Sequence, residues 1–283
     1  MRDAPAKINL GLHVLRRRGD GFHDLETVFL PIGWADRLDA APSDAVTLTT
    51  SDPSLPTDRR NLVVRAAEAL RNHTGTEAGA AIHLDKRVPY GAGLGGGSSD
   101  AAATLRLLTD LWRLDVPEAD LHDLALGLGS DVPFFLHDGA MIASGRGELL
   151  TSLSGEEGEG YRCPFWIAVA VPPVHVGTAE AYGLVTPNDH ERPDLAAVVR
   201  SNDLDRWSRD LVNDFQAPIE AAHPAIREAR LSLAEAGAGY TSLSGSGSAV
   251  FGVFETEGAA RLAEEGLSET CRVWTEVPAP ETR

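Results

Sequence analysis

Ile8, Leu10, Leu12 and Val14 alternate with Asn9, Gly11 and His13. That is the period of a half-buried strand and predicts one over residues 4–15. After a charged turn, Arg16 to Asp20, a second strand is expected near 25–31 and a third at 45–50. The period then lengthens. Leu62, Val63, Ala66, Ala67 and Leu70 share one helical face between Asn61 and Asn72, and residues 81–88 are strand-like. Ala101, Leu105, Leu108 and Trp112 recur at i, i+4, i+7 and i+11, which predicts a helix over 98–111. A further helix over 117–128 is expected to stop at Gly127 and Gly129. Residues 140–152 read as a hairpin around Gly145, and 165–171 as an apolar strand ended by Pro172-Pro173. Helices are expected at 178–184, 194–200, 203–216 and 223–236, then a hairpin at 238–254, a helix at 257–266 and a strand at 271–277. The Gly- and Glu-rich stretch 154–164 is the expected boundary, dividing the chain into 1–155 and 156–283, and the last six residues are expected to be loose. The fold class is mixed α/β in two domains, the second of α+β type.

The length of 283 residues suits two domains, and 43% hydrophobic with 24% charged residues is ordinary globular composition. A formal charge of −17 argues against a protein that coats nucleic acid, which needs basic surface. It leaves room for an anionic ligand in a local pocket. No apolar run approaches a membrane span of roughly 18–20 residues. The N-terminal Met1-Arg2-Asp3-Ala4-Pro5 carries no hydrophobic signal, so a cytoplasmic protein without membrane contact is expected. Cys163 and Cys271 form no metal or redox motif, and the nine His show no ligand spacing. Of the 25 basic residues only Lys7 and Lys86 are Lys, the rest being Arg. The Arg bias itself fits genomic codon composition, so the positions of the two Lys carry the interest.

The segment Pro89-Tyr90-Gly91-Ala92-Gly93-Leu94-Gly95-Gly96-Gly97-Ser98-Ser99-Asp100 holds five Gly between 91 and 97, after a strand and before a helix. Gly permits close approach of a ligand to the backbone, and the first N–H groups of a helix lie unpaired at its positive end. Together these make a phosphate cradle. Ser98 and Ser99 add hydroxyls that can cap the helix or meet phosphate or Mg²⁺. A Walker A loop would need a Lys after the last Gly, and none is there. The dinucleotide fingerprint GxGxxG occurs as Gly91, Gly93 and Gly96, but Leu84-Asp85-Lys86-Arg87-Val88-Pro89 before it is too charged for the buried strand such a site requires.

The glycine segment resembles the second motif of the GHMP kinases. Pro5-Ala6-Lys7-Ile8-Asn9-Leu10 is similar to the first motif of that family, and Ser242-Leu243-Ser244-Gly245-Ser246-Gly247-Ser248 to the third, with Leu243 where Met is usual. The three lie in family order across nearly the whole chain. GDGFHDLETVF at 19–29, NLVVRAA at 61–67 and GSDVPFFL at 129–136 resemble the branch whose acceptor is cytidine diphosphate methylerythritol, phosphorylated on its 2-hydroxyl in the non-mevalonate isoprenoid route. The resemblance implies an N-terminal ribosomal-protein-S5-like ATP-binding domain, a ferredoxin-like C-terminal domain, and ATP with Mg²⁺ as cofactors. It also implies a small-molecule acceptor and a monomer or weak homodimer. Another small-alcohol kinase of the family and, less well, a dehydrogenase remain alternatives.

The resemblance places Asp131, in Gly129-Ser130-Asp131-Val132-Pro133, as the base for the acceptor hydroxyl, with Lys7 beside it. Asp131 taken alone would serve equally as a turn or cap residue. Lys7 lies among inward apolar positions, where an ammonium needs a partner. Asn9 shares its side of the strand and could bond the polyol. Phe22 and His23 read as the cytosine site, His23 offering a donor and an acceptor to the base edge. Phe22 stands where the family carries Tyr. Tyr182, by its spacing from Thr178, matches a second stacking aromatic or else packs on the core. Asn61 resembles an adenine contact and also suits a helix cap. Lys86 resembles a nucleotide contact or else ends a strand in solvent. No side chain is assigned to the metal, and Asn213-Asp214-Phe215-Gln216 matches a family segment too weakly to carry a role. A compact ammonium beside a catalytic Asp predicts that Lys7→Arg is more damaging than Lys86→Arg.

Overall fold

A computed structural model describes residues 1–154 and 160–278. The chain forms two compact units that interleave along the sequence: Met1–Ala6, Gly33–Tyr90 and Gly95–Asp138 in the first, Lys7–Ile32, Gly91–Leu94 and Gly139 onward in the second. The boundary expected at 155/156 lies outside the described residues, as does nearly all of the expected loose tail.

The first unit takes the second half of β2 (His23–Ser43), with β3 (Thr47–Thr50) and β4 (Gly79–Asp85). β4 is antiparallel to β2, from Arg37 opposite Asp85 to Ser43 opposite Gly79, and parallel to β3. Helices α1 (Leu62–Thr74), α2 (Gly96–Trp112) and α3 (Glu118–Leu128) share a core with these strands in which Leu38, Leu70, Leu84, Leu105 and Leu108 are nearly or wholly buried. Asn61 caps α1 by accepting from Val63 N–H, and Gly75 ends it in the left-handed region at φ 69°. The helix expected over 117–128 runs from Glu118 to Leu128, with Gly129 as its C-cap, and a 3₁₀ turn at Pro133–Leu136 follows.

β2 is far longer than the 25–31 expected. Its burial alternates on through Trp34, Asp36 and Leu38, but the inward position 36 holds an acid, and that broke the apolar period in the sequence. α2 starts two residues earlier than expected, on Gly96. Ser98 and Ser99 therefore lie inside its first turn, and Gly95 precedes it with no side-chain cap.

In the second unit β1 (Arg2–Arg17) pairs with β2, whose first half also pairs with β5 (Met141–Gly145), which in turn pairs with β6 (Leu149–Ser152). A separate antiparallel sheet has the order β10-β7-β9-β8, from β7 (Trp166–Val171), β8 (Tyr240–Leu243), β9 (Val250–Phe254) and β10 (Arg272–Glu276). Helices α4 (Thr178–Leu184), α5 (Leu195–Arg200), α6 (Leu204–Asp210), α7 (Gln216–Ala222), α8 (Pro224–Glu235) and α9 (Glu257–Leu267) complete it. The single helix expected over 203–216 is broken. Residues 211–215 instead run beside β1, with Leu12 N–H donating to Val212 O and Asp214 N–H to Leu12 O. No described helix is long and apolar enough to cross a membrane.

Candidate active site

The second unit gathers parts of all three sequence motifs. Lys7, 3% exposed on β1, donates from its backbone N–H to Leu94 O at 3.0 Å. Its Nζ donates to Asn9 Oδ1 at 2.7 Å and Gly93 O at 2.9 Å, and lies 5.2 Å from the centre of the Phe29 ring. Asn9 Nδ2 donates to Thr27 Oγ1 at 3.0 Å, whose hydroxyl passes on to Gly11 O at 2.6 Å. The side chain of Asn9 is thus oriented with its carbonyl toward the ammonium, as the two-residue spacing on one strand face requires.

The loop between β8 and β9 closes on the same carbonyl. Ser244 Oγ donates to Gly93 O at 2.9 Å, and Ala249 N–H donates to Ala92 O at 2.9 Å. Gly93 is in the left-handed region at φ 79°, and a Cβ there would stand 2.1 Å from Ser244 O, so no other residue fits. Asn213, 4% exposed, holds this loop from behind: its Nδ2 donates to Leu243 O and Gly245 O at 2.8 and 2.9 Å, while its Oδ1 accepts from Phe215 N–H. Sequence reading gave Asn213 no role. The only signal was a partial motif match in a stretch whose apolar spacing mimics a helix.

The aromatic residues are also in this unit. His23 stacks on Tyr182 with ring centres 4.7 Å apart and 20° between planes, and Tyr182 meets Phe215 edge-on at 5.0 Å. The core-packing reading of Tyr182 is met, since the ring packs against Phe215 and the buried cluster of this unit. Thr178 opens α4, one turn before Tyr182. Phe22 is exposed with the Arg146 guanidinium 5.0 Å over its ring, and it is not part of the His23–Tyr182 stack. Burial and then the nearby Arg17 charge hold the His23 imidazole below its ordinary pKa, which favours the neutral ring with one donor and one acceptor.

The first unit holds the rest. Asn61 Oδ1 accepts from Val63 N–H at 3.0 Å and its Nδ2 donates to Pro56 O at 2.9 Å, so the cap reading holds, with one lone pair of Oδ1 to spare. Asp131 sits half-buried in the turn between α3 and the 3₁₀ segment, where Val132 N–H donates to Gly129 O. Pro89 and Tyr90 lead toward the glycines, and Tyr90 is exposed. At the start of α2, Ser99 donates its N–H to Gly95 O, while the N–H groups of Gly96, Gly97 and Ser98 have no acceptor within the helix. Ser98 is half-exposed, whereas Ser99 Oγ and Asp100 Oδ1 are buried without a partner.

Lys86 is not a strand end in solvent. Its side chain is 4% exposed, and Nζ donates to Asp36 Oδ2 at 2.5 Å and Asp100 Oδ2 at 2.7 Å. Burial opposes the ammonium, but Asp100 and Asp36 outweigh it and raise its pKa. Burial likewise pushes the Asp100 carboxyl up, Lys86 opposing and Asp36 adding to the rise. Asp36 was missed by sequence reading because it lies in the unexpected half of β2. Among the described residues no cluster of three or more His, Cys, Asp or Glu could hold a metal ion.

Comparison with known proteins agrees with this arrangement. Residues 61–139 match the GHMP kinases N terminal domain and residues 195–273 the GHMP kinases C terminal domain. The chain is 54% identical over 280 residues to a 4-diphosphocytidyl-2-C-methyl-D-erythritol kinase of Salinibacter ruber, covering 99% of this chain and 98% of that one. The corresponding kinase of Chlorobaculum tepidum is 46% identical, at 95% and 94% coverage. A crystal structure of 4-(cytidine 5'-diphospho)-2C-methyl-D-erythritol kinase superposes with a TM-score of 0.81 at 37% identity, covering 99% of both chains. Methanococcus jannaschii mevalonate kinase shares the fold, with a TM-score of 0.77 at 13% identity and coverage of 99% and 98%. The chain belongs to the GHMP kinases, and among them to the family of 4-diphosphocytidyl-2-C-methyl-D-erythritol kinases.

Proposed function

We propose that this kinase transfers the γ-phosphoryl group of ATP to the 2-hydroxyl of 4-diphosphocytidyl-2-C-methyl-D-erythritol, releasing ADP and the 2-phosphate, in non-mevalonate isoprenoid synthesis. The observation that carries the reading is 54% identity along 99% of the chain to a relative named for that substrate. The three motifs, parts of which meet at Gly93 O in the second unit, support it.

Phosphoryl transfer proceeds through a loose transition state, so positioning and charge stabilisation do the work. In this reading Asp131 orients the 2-hydroxyl and takes its proton as the oxygen attacks phosphorus. Lys7 offsets charge on the reacting oxygens. Asn9, held by Thr27, bonds the polyol. The unpaired N–H groups of Gly96, Gly97 and Ser98 at the positive end of α2 receive phosphate oxygens. Asn61 contributes the spare lone pair of its cap to the adenine amino group. Neutral His23 reads the cytosine edge with its donor and acceptor, Tyr182 stacks on the base, and Phe22 adds apolar surface at the same end, with Thr178 fixing the start of α4.

Mg²⁺ brought in with a nucleotide would draw on phosphate and water ligands, need few from the protein, and would supply charge stabilisation to the transferring group. The donor set fits that mode: Asp36 and Asp100 are buried and bonded to Lys86, which leaves the half-exposed Ser98 hydroxyl in α2 as the side chain that would hold the ion. The division of labour proposed is catalysis and ATP binding by residues 1–155 and a supporting domain over 156–283, in a cytoplasmic monomer or weak homodimer.

ADP release with the cytidine substrate, set against mevalonate, homoserine and galactose, tests the reading. ADP formed only with the cytidine substrate is expected. Turnover of a control alcohol, and not of the cytidine substrate, would overturn it.

A further inference from the structure

Lys86 is one of two Lys in the chain, and the structure gives its ammonium to two acids. Asp36 lies on β2, just beyond the rung that pairs Arg37 with Asp85, and Asp100 lies one turn into α2. Asp36 uses its other oxygen to accept from Arg87 N–H at 2.6 Å and Val88 N–H at 2.8 Å. The segment entering the glycine loop and the helix leaving it are therefore tied to the same point of one strand. The ammonium also lies against the helix start, since a Cβ at Gly96 would come within 3.1 Å of Nζ.

Stability does not account for this arrangement. Burying two carboxyl groups and an ammonium is costly, and apolar residues of similar volume often do as well or better. Nor is the ammonium placed to meet a nucleotide, with its side chain 4% exposed and two of its three donors spent on acids. We infer that Lys86 is a positioning residue: with Asp36 and Asp100 it fixes the first turn of α2, so that the N–H groups of Gly96, Gly97 and Ser98 are aimed before a phosphate arrives. It also offsets the Asp100 charge, which would otherwise repel the phosphates from within that turn. Preorganisation of this kind lowers the cost of binding without adding a contact.

The inference rests on the reading of this loop as the ATP phosphate site, and an ATP-induced rise in the melting temperature of the parent enzyme checks that reading separately, with no acceptor present. Two variants then test the inference by steady-state kinetics and by the same melting shift. Asp36→Asn keeps Lys86 and touches no nucleotide on any reading. It is expected to raise the KM for ATP about tenfold and shrink the ATP-induced shift, with kcat and the acceptor KM within about twofold of the parent. The triple variant Lys86→Met, Asp36→Asn, Asp100→Asn removes every charge at similar volume and is expected to fold with the same selective loss. An unchanged ATP KM in either folded variant overturns the inference, as does a fall in ATP KM in Asp36→Asn, which would mean that a freed Lys86 binds the nucleotide directly. Failure of both variants to fold would make the triad a purely structural element and overturn it equally.

Discussion

The two Lys of this chain solve the same problem in opposite ways. Each is buried on a strand or at its end, and each must keep an ammonium out of water. In the first unit Lys86 is held by two carboxylates, a setting that fixes the charge and consumes it. In the second unit Lys7 Nζ donates to an amide oxygen and a backbone carbonyl and lies over the face of Phe29. An ammonium bonded to two buried carboxylates organises the structure around it, whereas the role proposed for Lys7 is to offset charge on a reacting phosphoryl group. The comparison revises the expectation that Lys7→Arg harms the enzyme far more than Lys86→Arg. The Lys86 side chain is 4% exposed and bonded to two acids, a setting too tight for a guanidinium, so the two substitutions are expected to separate by parameter, kcat for Lys7 and ATP KM with melting temperature for Lys86.

The largest effect is expected at the proposed base. Asp131→Asn removes the proposed base and should lower kcat about a thousandfold, within the range for general-base catalysis, while calorimetric binding of the cytidine substrate persists. Near-parental kcat would remove Asp131 from the mechanism. Lys7→Met comes next, with a loss in kcat of roughly a hundredfold to a thousandfold, as for removal of one transition-state donor, and a KM for ATP that stays near the parent value. If the loss fell on ATP KM instead, the contrast between the two Lys would collapse.

Most of the fold was legible in the sequence. Strands and helices with uninterrupted apolar periods were found to within a few residues, as at α1 and β7. The failures share one cause, a polar side chain at an inward position. Asp36 hid the second half of β2, and with it the partner of Lys86. Asn213 hid the break between α6 and α7 because Val212 and Phe215 kept a helical spacing around it. In each case the polar residue satisfies distant backbone groups, which a local pattern does not show. The pairing of Lys7 with Asn9 was readable because both lie on one strand; the triad was not, since its members are 50 and 14 residues apart.

Asn213 offers the third test, of how far the Lys7 setting depends on its support. Replacing it with Ala would leave Gly245 O and Phe215 N–H buried without their side-chain partner, while Leu243 O would keep only the Ser242 hydroxyl. Leaving such groups unpaired costs about 1–3 kcal/mol each, with partial relief by water, so a loss near 3 kcal/mol is expected in urea unfolding. Because Ser244 bonds the carbonyl that Lys7 also bonds, kcat should fall as well, by roughly tenfold, at temperatures where the variant is fully folded. Destabilisation with unchanged kcat would show that the Lys7 setting does not need the third motif.

The smallest effect comes from a third buried base, which sharpens the contrast by failing to keep its charge. His13 lies on β1, 1% exposed, with Nδ1 unpartnered. Burial first, and then the Arg192 charge, lower its pKa to about 4, with Asp214 opposing, and Arg192 itself is claimed by Asp214 at 2.8 Å. In the unfolded chain His titrates near 6.5. Above that pH both states are neutral and His13 is without effect. Between 6.5 and 4 the unfolded state binds a proton that the folded state refuses, so stability falls as the pH is lowered, by up to about 3 kcal/mol if the shift is fully expressed. His13→Gln should remove this share of the acid loss while leaving the share due to carboxylates. Urea midpoints of parent and variant at pH 7.5 and 4.5 isolate the difference. If the two proteins lost the same stability on acidification, His13 would be carrying its proton in the fold.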